Sequence, residues 1–181
     1  MKRILALLTL VGATTFAQTP EASGTIFLVR HAEKVSDAPD ALLSETGESR
    51  AACLAQTLRD AHIGAIYVTQ VKRTEQTAQP LAKQLGIQPT LVQADDTAKL
   101  AADIKKDAAT KNVLVIGHSD TLSRVFAQMG INDVPPIGQS DYDLLFVVTN
   151  SDTKPELTTL HYCPSSQQAP SKGTGEMRRM R

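Results

Sequence analysis

The sequence predicts an α/β fold, a three-layer α/β/α sandwich of helices around a mostly parallel sheet. Three observations carry that expectation. Short apolar runs rich in β-favouring residues alternate with longer segments of helical period. The runs at 26–29 and 113–116 show no polar alternation, as expected of strands buried on both faces. The 181 residues suffice for one domain with a sizeable core and carry no internal repeat.

The elements follow in order. Ile26-Phe27-Leu28-Val29 reads as the first strand and ends abruptly in Arg30-His31. After a polar loop with Pro39, Thr46 is the expected N-cap of a helix whose first turn holds Glu48. That helix is expected to run to about residue 62, with Ala51, Ala55 and Leu58 turned inward and Gly64 as its stop. Residues 65–68 form a second buried strand, and 72–85 a second helix stopped by Gly86. Pro80 lies inside it and should kink or divide it, because proline removes a backbone donor. A short strand near 90–92 precedes a third helix over about 96–109, built on Leu100, Ala101 and Ile104. Residues 112–117 are the strongest strand and lead into a fourth helix bearing Leu122, Val125, Phe126 and Met129, closed by Gly130. Beyond a loop with Pro135-Pro136, residues 144–148 and 157–162 predict a hairpin.

The ends of the chain read differently. Residues 1–17 have Lys2 and Arg3, then an apolar stretch, then small residues ending Thr15-Phe16-Ala17, the pattern of a secretory signal peptide. The apolar part is too short for a permanent bilayer anchor, so the expectation is export, to a periplasm or the outside. The domain is expected over 18–163, and 164–181 as a disordered basic tail without apolar periodicity. Of 19 basic residues, two lie in the leader and four in the tail, while one of the 19 acidic residues is in the tail. Residues 18–163 therefore carry 13 basic and 18 acidic side chains, a net of −5. An acidic body argues against nucleic acid as a partner. Cys53 and Cys163 have no metal-ligand spacing; in an oxidising compartment they could pair, but two separate thiols are the expectation.

Chemistry concentrates at the strand ends. His31 directly follows one buried strand, His118 follows another after Gly117, and Arg73 lies just past a third. If these strands are parallel, right-handed crossovers bring their carboxyl ends to one edge, where open α/β sheets bind ligands. Arg30, His31, Arg73 and His118 would then converge. Two guanidiniums suit an anion such as phosphate, and an imidazole can serve as a covalent nucleophile. A metal site on His31 and His118 is the rival, disfavoured because flanking arginines repel a divalent cation. A single histidine at such a place would read as structural.

These residues resemble a known family. Val29-Arg30-His31-Ala32-Glu33-Lys34 is similar to the Arg-His-Gly signature of the histidine phosphatase superfamily, also called phosphoglycerate mutase-like, in its variant with Ala for Gly. The segment 67–78, with Arg73, resembles the second arginine block, and 116–121, with His118, the second histidine block. The resemblance covers about residues 24 to 162 and implies His31 as nucleophile, with Arg30, Arg73 and His118 completing a phosphate pocket that Lys34 borders. It implies neither a metal nor an organic cofactor. The short chain looks most like the small phosphatases, including those acting on phosphohistidine in proteins.

The general acid is less legible. Asp95, Asp96, Asp120 and Glu33 are the candidate proton donors. Asp95 or Asp96 could instead cap the third helix, Asp120 could cap the fourth, and Glu33 could orient a basic group. Without an acid, phosphoramidates or acyl phosphates become better substrates. The expectation is a phosphatase acting on a phosphorylated small molecule or phosphoprotein, and the alternative a non-catalytic phosphoanion-binding module. His62 is expected to end a helix, His161 to be structural, and Tyr142 and Tyr162 to pack, with the loop 131–142 covering the site.

Overall fold

A computed structural model describes residues 23–150 and 154–163; the leader expected over 1–17 and the tail expected over 164–181 lie outside the described residues. Ten elements alternate: β1 (Ile26–Arg30), α1 (Glu45–Thr57), β2 (Ile63–Thr69), α2 (Lys72–Leu85), β3 (Thr90–Val92), α3 (Thr97–Ala108), β4 (Asn112–Gly117), α4 (Ser119–Gln128), β5 (Leu144–Asn150) and β6 (Pro155–His161). The strands form one sheet of order β3-β2-β4-β1-β5-β6. The first four neighbours run parallel, whereas β5 and β6 form the expected antiparallel hairpin beside β1.

Period-two geometry explains the layers. Val113 and Val115 face one side of the sheet with Ile26 and Leu28, under Leu100, Ile104, Leu122 and Phe126 of α3 and α4. Leu114 and Ile116 face the other with Val29, Ile66 and Val68, against Leu54 of α1, Leu58 just past its end, and Ala78 and Leu81 of α2. Both faces are covered, which is why the central strands show no polar alternation. Fully burying each of these side chains contributes about 1.5–3 kcal/mol. The chain crosses from β1 to β2 in one direction and from β4 to β5 in the other. That reversal opens a crevice at the carboxyl ends of β1 and β4.

Several local expectations need correction. Ser44, not Thr46, caps α1, its Oγ accepting from Gly47 N at 3.1 Å. Ser44 N is itself held by the Glu33 carbonyl at 2.9 Å, so the chain turns there. Gly47 lies so close to the same carbonyl that an added Cβ would sit 2.1 Å from it. α1 ends at Thr57 rather than near 62. His62 stands in a turn at φ 48° and Gly64 falls inside β2, because buried Ile63 already belongs to the sheet. Pro80 does not divide α2, whose buried residues continue past it in Leu81 and Ala82 before Gly86 closes the helix at φ 67°. Asp120 is not an N-cap: His118 holds that position in α4, and Asp120 sits in the first turn.

The cysteines also depart from expectation. Cys53 of α1 and Cys163, just beyond β6, form a disulfide with Cα atoms 6.3 Å apart. Their separation of 110 residues left no local sign of the pairing.

Candidate active site

Strand register builds the site. Arg30 of β1 is level with Gly117 of β4, so the next residues, His31 and His118, leave the sheet side by side. His31 N donates to the Gly117 carbonyl at 2.9 Å, which continues the pairing one step further. The two imidazole centroids lie 5.1 Å apart. Together with Arg30, Lys34 and Arg73 they line a cleft of about 880 Å³.

His31 is 3 % exposed. Burial, reinforced by His118, Arg30 and Arg73, lowers its pKa to about 3, so the ring is neutral at ordinary pH. Its Nδ1 lies 2.7 Å from the Ala32 carbonyl. A carbonyl only accepts, so the proton resides on Nδ1 and Nε2 keeps the lone pair. Ala32 is fixed in turn: its N–H donates to Thr77 Oγ1 at 3.0 Å, and that hydroxyl donates to the Arg73 carbonyl at 2.7 Å.

His118 is held at both nitrogens. Arg73 Nη2 donates to Nδ1 at 3.4 Å, and Nε2 lies 3.1 Å from Thr69 Oγ1. With Nδ1 accepting, Nε2 carries the proton and donates to Thr69, whose hydroxyl donates on to Thr74 Oγ1 at 3.3 Å. Burial first, then Arg73, lowers the His118 pKa to about 4.

The arginines are tied to the flanking loops. Arg30 Nη1 donates to the Gly138 and Gln139 carbonyls, each at 2.7 Å, and its guanidinium stacks 4.4 Å from the Tyr142 ring centroid. Arg73 Nη1 donates to the Pro39 carbonyl at 2.6 Å, while its Nε is buried without a partner. Burial and then Arg30 lower the Arg73 pKa from its usual value. Among the described residues neither guanidinium forms an ion pair with a carboxylate. Buried Arg30 and half-buried Arg73, beside neutral imidazoles and without a carboxylate partner, make a site that an anion would stabilise.

Of the four candidate proton donors, only Asp120 lines the cleft, and its carboxylate is paired with Arg124 at 2.7 Å. Asp96 is the N-cap of α3, accepting from Lys99 N at 3.2 Å, and Asp95 precedes it; neither lines the cleft. Glu33 grips Arg50 instead, with both carboxylate oxygens 2.9 Å from Nε and one 2.7 Å from Nη2. Its carboxylate is occupied by that ion pair and lies outside the cleft lining. Lys34 does line the cleft and pairs with Asp37 at 2.8 Å. Among the described residues no three His, Cys, Asp or Glu side chains gather as a metal ion would need.

Thr69 and Thr77 join the site without having been singled out in the sequence, and Tyr142, expected to pack at the end of the loop 131–142, joins it too. Tyr142 is not a packing residue: its ring lies against both Arg30 and His31, 5.9 Å from the latter. Only the placement of β5 beside β1 brings it there. Thr69 and Thr77 position His118 and Ala32 as described. Of the rest, His161 pairs with buried Asp143 at 2.9 Å, and Tyr162 is buried in the core.

Fold and cleft together define a class: a phosphoglycerate mutase-like sandwich whose strand ends present paired histidines and arginines. Residues 26–96 match the model of the histidine phosphatase superfamily (branch 1). No curated protein matches the sequence. Among solved structures, a mycobacterial glucosyl-3-phosphoglycerate phosphatase complexed with VO3 aligns at TM-score 0.63 and 13% identity, over 77% of this chain and 99% of that one. Phosphoserine phosphatase of Entamoeba histolytica, bound to 3-phosphoglyceric acid, aligns at 0.60 and 15%, over 78% and 98%. The protein histidine phosphatase SixA, complexed with tungstate, aligns at 0.59 and 19%, over 76% and 96%. At these identities the likeness is one of fold.

Proposed function

We propose that this protein is a phosphatase that works through a covalent phosphohistidine on His31 and needs no metal. One observation carries the reading: a neutral, Nδ1-protonated His31 stands beside His118 between two guanidiniums that have no carboxylate partner. Arg30 and Arg73 exchange loop carbonyls for the oxygens of a phosphoryl group, which they meet with charge-assisted, preorganised donors. His31 Nε2 attacks phosphorus as the bond to the leaving group breaks, and the leaving group departs with that electron pair. The imidazolium formed is stabilised by its Nδ1–H bond to the Ala32 carbonyl. Water then attacks the phosphoryl group, loses a proton and releases inorganic phosphate and neutral His31. A bound dianion favours protonation of His118 at Nδ1, turning it into one more donor to phosphate. Two structural neighbours were captured with the oxyanions VO3 and tungstate.

Among the described residues the carboxylates lining the cleft, Asp37 and Asp120, are both engaged by cations. That favours leaving groups needing little protonation, namely phosphoramidates and acyl phosphates, including phosphohistidine, over alkyl phosphate esters. A periplasmic or extracellular setting is supported by the signal-like leader, and the Cys53–Cys163 bond suits an oxidising compartment. The test is hydrolysis of p-nitrophenyl phosphate and of phosphoramidate. The expected result is turnover unaffected by EDTA and lost by more than about 10⁴-fold in His31→Ala. Activity surviving that substitution would locate the chemistry elsewhere. Binding of phosphate without turnover would favour a non-catalytic phosphoanion module, and EDTA sensitivity a metal site.

A further inference from the structure

Resting on that reading, we infer that Arg50 is a positioning residue: it couples the disulfide-held segment after β6 to the loop that fixes the His31 tautomer. Arg50 is 6 % exposed inside α1 and spends its donors in two directions. Nε and Nη2 hold both oxygens of Glu33, two residues past His31. Nη1 donates to the Cys163 carbonyl at 2.9 Å and to that of Tyr162 at 3.4 Å. The Tyr162 ring lies 5.8 Å from the guanidinium. Burial alone would lower the Arg50 pKa, but Glu33 more than offsets it and the net shift is upward.

Each contact on the Glu33 side bears on the nucleophile. The Glu33 carbonyl takes the Ser44 N–H that starts α1, and Gly47 packs on the same carbonyl. The Glu33 side chain is clamped by Arg50. Between Glu33 and His31 lies one residue, Ala32, whose carbonyl holds His31 Nδ1. The direction of that carbonyl decides which ring nitrogen bears the proton, and hence which one attacks. On the other side, the Cys53–Cys163 bond fastens the segment after β6 to α1, one turn beyond Arg50. The carbonyls of 162 and 163 therefore stay within its reach. A buried arginine bidentate to a carboxylate and also capping two carbonyls is a costly arrangement, and hydrophobic substitutes would pack at least as well. Its geometry explains its presence here: it locks Ala32, not the core.

The experiment compares wild type with Arg50→Met, Arg50→Lys and the uncharged pair Glu33→Leu/Arg50→Met. The paired variant leaves no carboxylate stranded if Arg50→Met alone fails to fold. The readouts are steady-state kinetics on phosphoramidate and ¹⁵N NMR of the imidazoles. The expected result is a single Nδ1–H tautomer for His31 in wild type and a mixture in the paired variant. With it, kcat should fall about 10–100-fold at a KM changed less than threefold, and Arg50→Lys should recover part of it. Wild-type tautomer signals in the paired variant overturn the inference, whether or not kcat falls. Should wild type prove inactive on every phosphate compound, the functional reading fails, and the imidazole signals alone decide this one.

Discussion

Inside the sheet, Leu28, Leu114 and Phe146 are wholly buried among apolar neighbours. A few residues along the same sheet, where β1, β2 and β4 end, two imidazoles and two guanidiniums share a cleft that, among the described residues, holds no free carboxylate. The interior satisfies every requirement of packing and gains stability by it. The rim does the reverse: burial and like charge hold both histidines neutral and press the Arg73 pKa downward. That unfavourable charge is relieved when an anion enters. One sheet thus supplies rigidity from its middle and a charged, preorganised pocket from its edge.

The contrast can be broken first at the interior. Phe146→Ala should cost about 3–5 kcal/mol in a urea melt, since the cavity under Phe126 cannot collapse fully. A loss below 1 kcal/mol would show that the layer is loosely packed. At the rim, Arg73→Met should behave oppositely. Stability without ligand should change by less than about 1 kcal/mol, because one of two mutually repelling cations is gone, while kcat/KM falls about 10²–10³-fold. Thermal melts with and without phosphate give the two numbers, and phosphate should stabilise wild type far more than the variant.

Acidity sharpens the comparison more gently. Folding holds His31 near pKa 3 and His118 near 4, mainly by burial, against 6.5 for an unperturbed histidine. Between those values the unfolded chain binds more protons than the folded one. The stability from both sites is therefore complete above about pH 6.5 and declines as pH falls toward 3. Urea midpoints should drop between pH 7 and 4.5, and His118→Asn should lessen the drop. Accordingly, the acid limb of kcat/KM attributable to the free enzyme, set by protonation of the nucleophile His31, should lie near pH 3; a limb near 6.5, after allowing for substrate ionisation, would mean a solvated nucleophile.

How much of this was readable in the chain depended on whether the deciding contact was local. β1 and β4 were plain, because strands covered on both faces must be apolar throughout. Given parallel strands, residues just past their ends must meet, so Arg30, His31, Arg73 and His118 could be brought together before any coordinates. The start of α1 was not readable: Ser44 and Thr46 both make good caps, and the choice fell to the distant Glu33 carbonyl. Glu33 could have been an acid by sequence, and only the fold shows Arg50 gripping it. A weak sign existed, since Arg50 shares helical spacing with Gly47 and Leu54 on the buried stripe, where a charge needs a partner. The loop 131–142 was expected over the site, but that Tyr142 would stack there rather than pack in the core, and that Cys53 and Cys163 would pair, depend on where the β5–β6 hairpin docks.

The most direct measurement quenches the enzyme in alkali during turnover of a phosphoramidate and maps the phosphoryl group by mass spectrometry of peptides. The phosphoryl group is expected on the peptide containing His31, lost on acidification and absent from His31→Ala. Phosphoryl transfer to any other residue, or steady turnover with no phosphorylated His31 at any quench time, would contradict it.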